Sequence, residues 1–336
     1  AGRIGEISSA EDSFGGLRFA RFSGTDILVQ MNFDGIGTKV EVAERLNRHN
    51  TMAFDLFAMV CDDAAIRGLE PIHIGSVLDF RTVNADVVQA LADGMVAAAR
   101  AAGVAVINGE LAELGERVGG YGPSAYNWAA TVLAVGKRER LLDTGRVRAG
   151  QYLVAVREQG FRSNGFTLVR KAVMGYFGPR WHEQPWEGKT VGEYVLTPST
   201  IYTPLLVSLF GGFDAEPKGS LIAAAHITGG GIPGKLGRCL KHSGCGALLD
   251  DLFEPVRMML DLQKVGGISD RDAYQAWNMG QGLIIVTDDP DSVLDEASRL
   301  GFEAKQAGTV IATPEIQIVN KGAYKESEPR LAFPCS

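Results

Sequence analysis

The tightest constraint on the fold comes from QMNFDGIGTKVEVAERL at residues 30–46. An apolar run that favours extended backbone stops at Asp34, and Val40, Ala43 and Leu46 then recur at helical spacing. DGIG must therefore turn a strand directly into a helix. The alternation continues downstream. DILVQMNF, PIHIGSVLDF, VAVING and YNWAATVLAVG read as strands, while residues 51–70 and 86–103 read as helices that stop near Gly68 and Gly103. The order strand, helix, strand, helix, strand, strand suits an α+β layer sandwich as well as a doubly wound sheet.

At LLDTGRVRAGQ the chain becomes turn-rich and charged before QYLVAV starts a fresh strand, which divides it into residues 1–148 and 149–336. The second half holds SNGFTLVRKAVMGYFG, a helix that Ser163 or Asn164 can cap, then AHITGGGIPGK and a closing strand in NMGQGLIIVTDD. A length of 336 residues, 46% of them hydrophobic, supplies material for two cores. The net charge of −7 would be repelled by nucleic acid or an anionic membrane, so a small-molecule partner is expected and neither of those surfaces is. Apolar stretches are broken well before the roughly 20 residues a membrane helix requires. The opening AGRIGEISSAED lacks the layout of a secretory leader. Cys61, Cys239, Cys245 and Cys335 form no CxxC pair and have no histidines at ligand spacing, which points to reduced thiols in a cytoplasm rather than to zinc or disulfides.

Several short motifs can carry chemistry, each with a plainer alternative. In DGIGTK, Gly35 and Gly37 allow close approach to a helix N-terminus, Asp34 can ligate Mg²⁺, and Thr38 and Lys39 can reach phosphate oxygens. The alternative is a glycine turn with Asp34 as its cap. Adjacent Asp62 and Asp63 are costly inside an apolar helix unless a cation pairs with them, or else they lie on a solvated face. Glu110 follows the strand VAVING, where sheet-borne ligands emerge. His226, Thr228 and Gly229 to Gly231 make a backbone cradle for an anion or a flexible loop, and His226 is an acid, a base or a structural histidine. Asn164 and Asn278 stand beside glycines, which suits ligand contacts and tight turns equally.

The order of these landmarks is far more specific than any one of them. DGIGTK, DLFAMVCDD with GLEP, VLDF, NGELAE, SNGFTLVRK, AHITGGG and NMGQG together resemble the aminoimidazole ribonucleotide synthetase, or phosphoribosylformylglycinamidine cyclo-ligase, family over residues 14–308. The resemblance implies an α+β fold of two layered α/β domains, with the first sheet joining its copy in a barrel at a homodimer interface. It implies ATP-dependent closure of the imidazole ring of a purine precursor, with ATP and Mg²⁺ as cofactors and a ribonucleotide as substrate. Asp34 and Asp63 match the metal-associated aspartates. His226, Asp63 and Lys39 are then the catalytic set, and Gly35, Gly37, Thr38, Lys39, Glu110 and Asn278 the nucleotide contacts. Arg162, Ser163, Asn164, Thr228, Gly229, Gly230 and Gly231 are the substrate contacts. This chain carries Asp62 where the family has asparagine, Arg162 in place of a histidine, Lys235 in place of an asparagine, Asn108 and Leu111 within NGELAE, and a short FGGL in place of a longer glycine-rich loop. Two other readings are a different ATP-dependent enzyme of the superfamily and a catalytically silent nucleotide-binding paralogue. A selenophosphate synthetase would want a reactive cysteine near the start, and none precedes Cys61.

Overall fold

The computed structural model describes residues 6–9, 18–22 and 24–335. The FGGL segment at residues 14–17 lies outside them. Strands β1 (Glu6–Ser9), β2 (Arg18–Arg21), β3 (Ile27–Gly35), β4 (Glu70–Phe80), β5 (Ala105–Glu113) and β6 (Tyr126–Lys137) form one sheet in the order β1-β2-β3-β6-β4-β5. Neighbours are antiparallel except β4 and β5, which run parallel because helix α4 (Ala85–Ala102) carries the chain back between them.

Strand β6 shows why this sheet has one covered face. Tyr126, Trp128, Ala130, Val132 and Ala134 point inward at every second position. They meet the buried faces of α1 (Val40–Leu46), α2 (Met52–Phe57) and α4. The opposite face leaves Met31, Phe33, Val77 and Ile107 exposed, Phe33 at 67% and Ile107 at 62%.

The second sheet has seven strands in the order β10-β12-β7-β13-β11-β14-β15. These are β7 (Tyr152–Arg157), β10 (Ala223–His226), β11 (Gly246–Leu249), β12 (Gln281–Thr287), β13 (Ala304–Ile311), β14 (Glu315–Val319) and β15 (Arg330–Pro334), with a separate small hairpin of β8 (Pro185–Trp186) and β9 (Lys189–Thr190) that leads into α6 (Val191–Val195). Every residue of β12 is buried because helices cover both faces. Val154, Val156, Leu283 and Ile285 pack with residues of α7 (Thr203–Phe210) and α11 (Pro290–Arg299), while Leu153, Ala155, Ile284 and Val286 belong to the cluster shared with α5 (Phe166–Phe177), α8 (Gly231–Leu240), α9 (Arg257–Gly266) and α10 (Asp270–Ala276). The α+β expectation holds.

Three local details differ from the sequence reading. Asp34 is still in β3, paired with Ala130, and does not cap the following helix, whose first turn (Gly37–Lys39) has no side-chain cap. Neither Ser163 nor Asn164 caps α5, which starts behind Gly165 in the left-handed conformation. The helix expected at residues 51–70 is interrupted by a π-helical turn, Ala58–Asp62, before a last short turn α3 (Asp63–Ala65). A π turn inserts extra backbone into a helix and is often found at functional sites. Here it ends on Asp62, the first of the two adjacent aspartates.

Candidate active site

Three segments from the two halves of the chain converge. The first is the turn from Asp34 to Thr38 at the end of β3. The second is the loop Arg162–Gly165 ahead of α5, and the third is Thr228–Gly230 between β10 and α8. A Cβ placed on Gly37 would stand 3.8 Å from the Ser163 carbonyl oxygen, and one on Gly229 would stand 3.7 Å from Asn164 Nδ2. Gly231, at φ +59°, has no room for any side chain, since a Cβ there would lie 1.9 Å from the Tyr274 carbonyl oxygen. The close packing of α8 on α10 therefore fixes the TGGG loop. Ser163 Oγ and Asn164 Oδ1 are buried without a protein partner, which suits groups held for a ligand.

Asp62 and Asp63 have different environments. Asp62 points inward at 0% exposure, accepting hydrogen bonds from Tyr202 N–H at 2.9 Å and Thr203 Oγ at 2.8 Å. Burial pushes its pKa from 3.8 up to about 7, against the pull of Arg162 and these donors. Asp63 is half-buried and accepts from His226 Nδ1 at 2.7 Å. Burial raises its pKa, but the His226 bond and the charges of Lys235 and Arg67 outweigh that and hold it below the usual carboxylate range. Asp34 accepts from Gly35 N–H at 2.7 Å. Burial lifts its pKa, the Gly35 bond opposes, the negative charge of Asp63 adds to the rise, and Lys235 opposes it.

Behind Asp63 lies a buried relay. His226 Nε2 faces Arg162, whose guanidinium has only donors, so Nε2 accepts and Nδ1 carries the proton that is donated to Asp63. Arg162 also donates to Glu158 Oε2 at 2.6 Å and to the Thr200 carbonyl at 3.1 Å, and it approaches Asp62 at 3.6 Å. Burial, helped by Arg162, pushes the His226 pKa from 6.5 down to about 4, so the imidazole is neutral near pH 7.

Several predicted roles change accordingly. Lys39 does not face a phosphate: at 0% exposure its Nζ is bound to Asp55 Oδ1 at 2.8 Å and to the Thr197 carbonyl, tying the first turn after β3 to the second half of the chain. Arg162, at 1% exposure, lies behind the site and cannot touch substrate in this arrangement. His226 has both ring nitrogens engaged, which makes it a support for Asp63 rather than an acid or base. Asn278 is buried, donating to the Gly160 carbonyl at 2.8 Å and accepting from Gly280 N–H at 2.8 Å, so it shapes a tight turn instead of binding nucleotide.

The other predicted residues are placed together. Gly35, Gly37 and Thr38 line a cavity of about 570 Å³ with Glu41, Asp79 and Arg170. Asp34 and Glu110 line an adjoining hollow of about 470 Å³ on the exposed sheet face, floored by Gly75, Asn108 and Thr131. Sequence reading missed Arg170, which pairs with Glu41 across the first cavity, and Glu158, which anchors Arg162. The spacing of Glu158 and Arg162, four residues apart, was the only signal for the latter, and it lies in a loop where that spacing has no fixed meaning.

Residues 18–136 match the family described as AIR synthase related protein, N-terminal domain, and residues 148–321 match AIR synthase related protein, C-terminal domain. The chain belongs to the AIR synthase related family. Phosphoribosylformylglycinamidine cyclo-ligase of Methanocaldococcus jannaschii is 30% identical to it over 311 residues, covering 91% of this chain and 85% of that protein. The enzyme of the same name from Anaeromyxobacter sp. is 35% identical over 284 residues, covering 82% and 78%. Among solved structures, thiamine-monophosphate kinase of Stenotrophomonas maltophilia superposes with a TM-score of 0.62 at 17% identity, covering 91% of this chain and 89% of that one. Thermotoga maritima PurL complexed with FGAR gives 0.59 at 13% identity, covering 92% and 45%. These two likenesses establish the AIR synthase fold and nothing finer.

Proposed function

We propose that this AIR synthase family member catalyses ATP-dependent closure of formylglycinamidine ribonucleotide to aminoimidazole ribonucleotide, releasing ADP and phosphate. The observation that carries the reading is family membership across nearly the whole chain together with the convergence of the Asp34–Thr38 turn, Asp63 and the Thr228–Gly231 loop at one place. In the reaction the formamide oxygen attacks the γ-phosphorus of ATP, and the P–O bond to ADP breaks with its electron pair on ADP. The ring nitrogen then adds to the activated carbon, the C–O bond breaks with its pair on phosphate, and one proton leaves the nitrogen. Phosphorylation turns a poor leaving group into a good one, so the protein's work is placement and charge neutralisation.

Asp34 and Asp63 are the groups we assign to Mg²⁺. Each has one oxygen tied by a hydrogen bond, and their charges face each other in the site. Among the described residues no cluster of three or more acidic, histidine or cysteine side chains is positioned for a metal. Mg²⁺ is commonly held by one or two carboxylates plus the phosphates of its nucleotide, which fits this pair. The ion would supply charge neutralisation for the transferring phosphoryl group. His226 fixes the rotamer of Asp63, and Arg162 fixes His226. Gly35, Gly37 and Thr38 present backbone to the phosphates, Glu110 faces the nucleotide, and Ser163, Asn164, Thr228 and Gly229 to Gly231 receive the ribonucleotide.

We assign residues 1–148 to nucleotide binding and dimerisation and residues 149–336 to the substrate loops. The exposed apolar face of the first sheet supports a homodimer, in which Phe33, Met31, Val77 and Ile107 meet their copies beside the Asp34 hollow. The cytoplasm is the proposed compartment, where unpaired thiols stay reduced. No helix among the described residues is long and apolar enough to cross a membrane. The test is ADP release from ATP in the presence of formylglycinamidine ribonucleotide, for the wild-type protein and Asp34→Asn. Substrate-dependent release that collapses in the variant is expected. No release above background defeats the cyclo-ligase reading, and full activity in the variant defeats the metal role of Asp34.

A further inference from the structure

A site that handles two phosphate-bearing ligands beside two carboxylates requires a cation, and the other basic side chains around it are committed elsewhere. Lys39 is sealed against Asp55, Arg162 is locked between Glu158 and His226, and Arg170 and Arg45 both pair with Glu41. Lys235 differs. It lies on α8 behind the TGGG loop, in a strip with Gly234 and Arg238 that the helix does not bury. Helical side chains lean toward the N-terminus of their helix, so this one leans back toward Gly230. It is half-buried, and its charge acts on Asp63 at the start of α3 and on Asp34 in β3. Among the described residues it nevertheless makes no ion pair and no side-chain hydrogen bond. A half-buried ammonium behind the TGGG loop that pairs with neither of these carboxylates is available to an anion from outside.

We infer that Lys235 is a catalytic residue that contacts the γ-phosphoryl group of ATP, supplying the positive charge that the sequence pattern had assigned to Lys39. The inference rests on the cyclo-ligase reading for the identity of the acceptor and on the position of Lys235 behind the TGGG loop for the phosphate contact. During transfer, charge builds on the phosphoryl oxygens while the bond to ADP breaks and the bond to the formamide oxygen forms. A fixed ammonium there lowers the barrier without moving any proton. The flanking Arg67 and Arg238 add to the local positive potential.

Two measurements on Lys235→Met and Lys235→Arg decide the matter. The first is kcat and KM for ADP release with formylglycinamidine ribonucleotide. Loss of one preorganised charge donor predicts a fall in kcat of about 100-fold for Lys235→Met, with KM for the ribonucleotide changed less than about threefold and most of kcat restored in Lys235→Arg. The second is the dissociation constant for β,γ-methylene ATP with Mg²⁺, expected to weaken at least about tenfold in Lys235→Met, the loss of one charge-assisted contact, and to recover in Lys235→Arg. An unchanged kcat overturns the inference, and so does unchanged affinity for the analogue or a wild-type protein that does not bind it. A raised KM for the ribonucleotide with unchanged analogue affinity places Lys235 on the substrate's own phosphate and also overturns it. If the wild-type protein turns over no formylglycinamidine ribonucleotide, the cyclo-ligase reading fails by itself, and the analogue arm still tests Lys235.

Discussion

Replacing Arg162 with methionine should destabilise the protein, by an amount that the buried relay lets one work out. The variant loses the charge-assisted bond to Glu158 at 2.6 Å, the bond to the Thr200 carbonyl at 3.1 Å and the bond to His226. It leaves two fully buried carboxylates, Glu158 and Asp62, without a cation. Removing one partner of a buried pair costs about 3–5 kcal/mol. Glu158 keeps donors in Gln159 N–H at 2.9 Å, Thr200 Oγ at 3.1 Å and Tyr202 Oη at 3.3 Å, which places the estimate near the lower end, about 3 kcal/mol. For domains of this size such a loss lowers the thermal midpoint by roughly 6–12 °C. Thermal unfolding followed by tryptophan fluorescence checks it, since Trp181 and Trp277 are buried in the affected half. The companion variant Arg162→Met with Glu158→Gln removes one stranded charge and should recover about 1–2 kcal/mol of the loss. A midpoint shift under about 3 °C for Arg162→Met, or a double variant less stable than the single one, would refute the relay.

Further predictions concern the neighbouring groups. Lys39→Met breaks a buried ion pair and should cost about 3–5 kcal/mol of stability. At temperatures where it stays folded, its affinity for β,γ-methylene ATP should match wild type, and a large loss of affinity there would put Lys39 back in the phosphate site. Two buried groups give opposed pH dependences. His226, near 4 when folded against 6.5 ordinarily, contributes stability that is complete above 6.5 and is lost as pH falls toward 4. Asp62, near 7 against 3.8, contributes stability that is complete below 3.8 and is lost as pH rises through 7. Asp62→Asn removes the second dependence, so its thermal midpoint should fall more steeply than that of wild type between pH 6.5 and 4, and a parallel or shallower profile contradicts the assignment. On the exposed sheet face, Phe33→Asp removes an apolar contact worth about 1.5–3 kcal/mol per copy and adds like charges across the proposed interface. Light scattering should show a dimer for wild type and a monomer for the variant, and a monomeric wild-type protein contradicts the dimer.

Much of the fold was legible because hydrophobic period and glycine punctuation are local. The switch at residues 30–46 is indeed β3 leading into α1, the stops at Gly68 and Gly103 lie where helices end, and β6 alternates as its sequence does. The site was legible as a set of places rather than of side-chain directions. Lys39 looked phosphate-facing because a lysine in a helix's first turn ordinarily reaches solvent. Its inward turn is set by Asp55, sixteen residues on, and by the Thr197 carbonyl in the other half of the chain. Arg162 and Asn278 stand beside the same asparagine and glycine landmarks whether they face a ligand or the core, and only packing against Glu158 and Gly160 decides it. The π turn at Ala58–Asp62 ends within the aspartate pair, one of whose members is buried and the other site-facing, and no residue pattern announced it. Lys235 was visible as an added charge, but its lack of a partner was not.

The central claim is that the formamide oxygen leaves the substrate as phosphate oxygen. Formylglycinamidine ribonucleotide labelled with ¹⁸O at the formyl group should, with ATP and this protein, yield inorganic phosphate carrying one labelled oxygen per aminoimidazole ribonucleotide formed. Mass spectrometry reads both products directly. Unlabelled phosphate, label recovered in water, or ADP release with no imidazole product would contradict it.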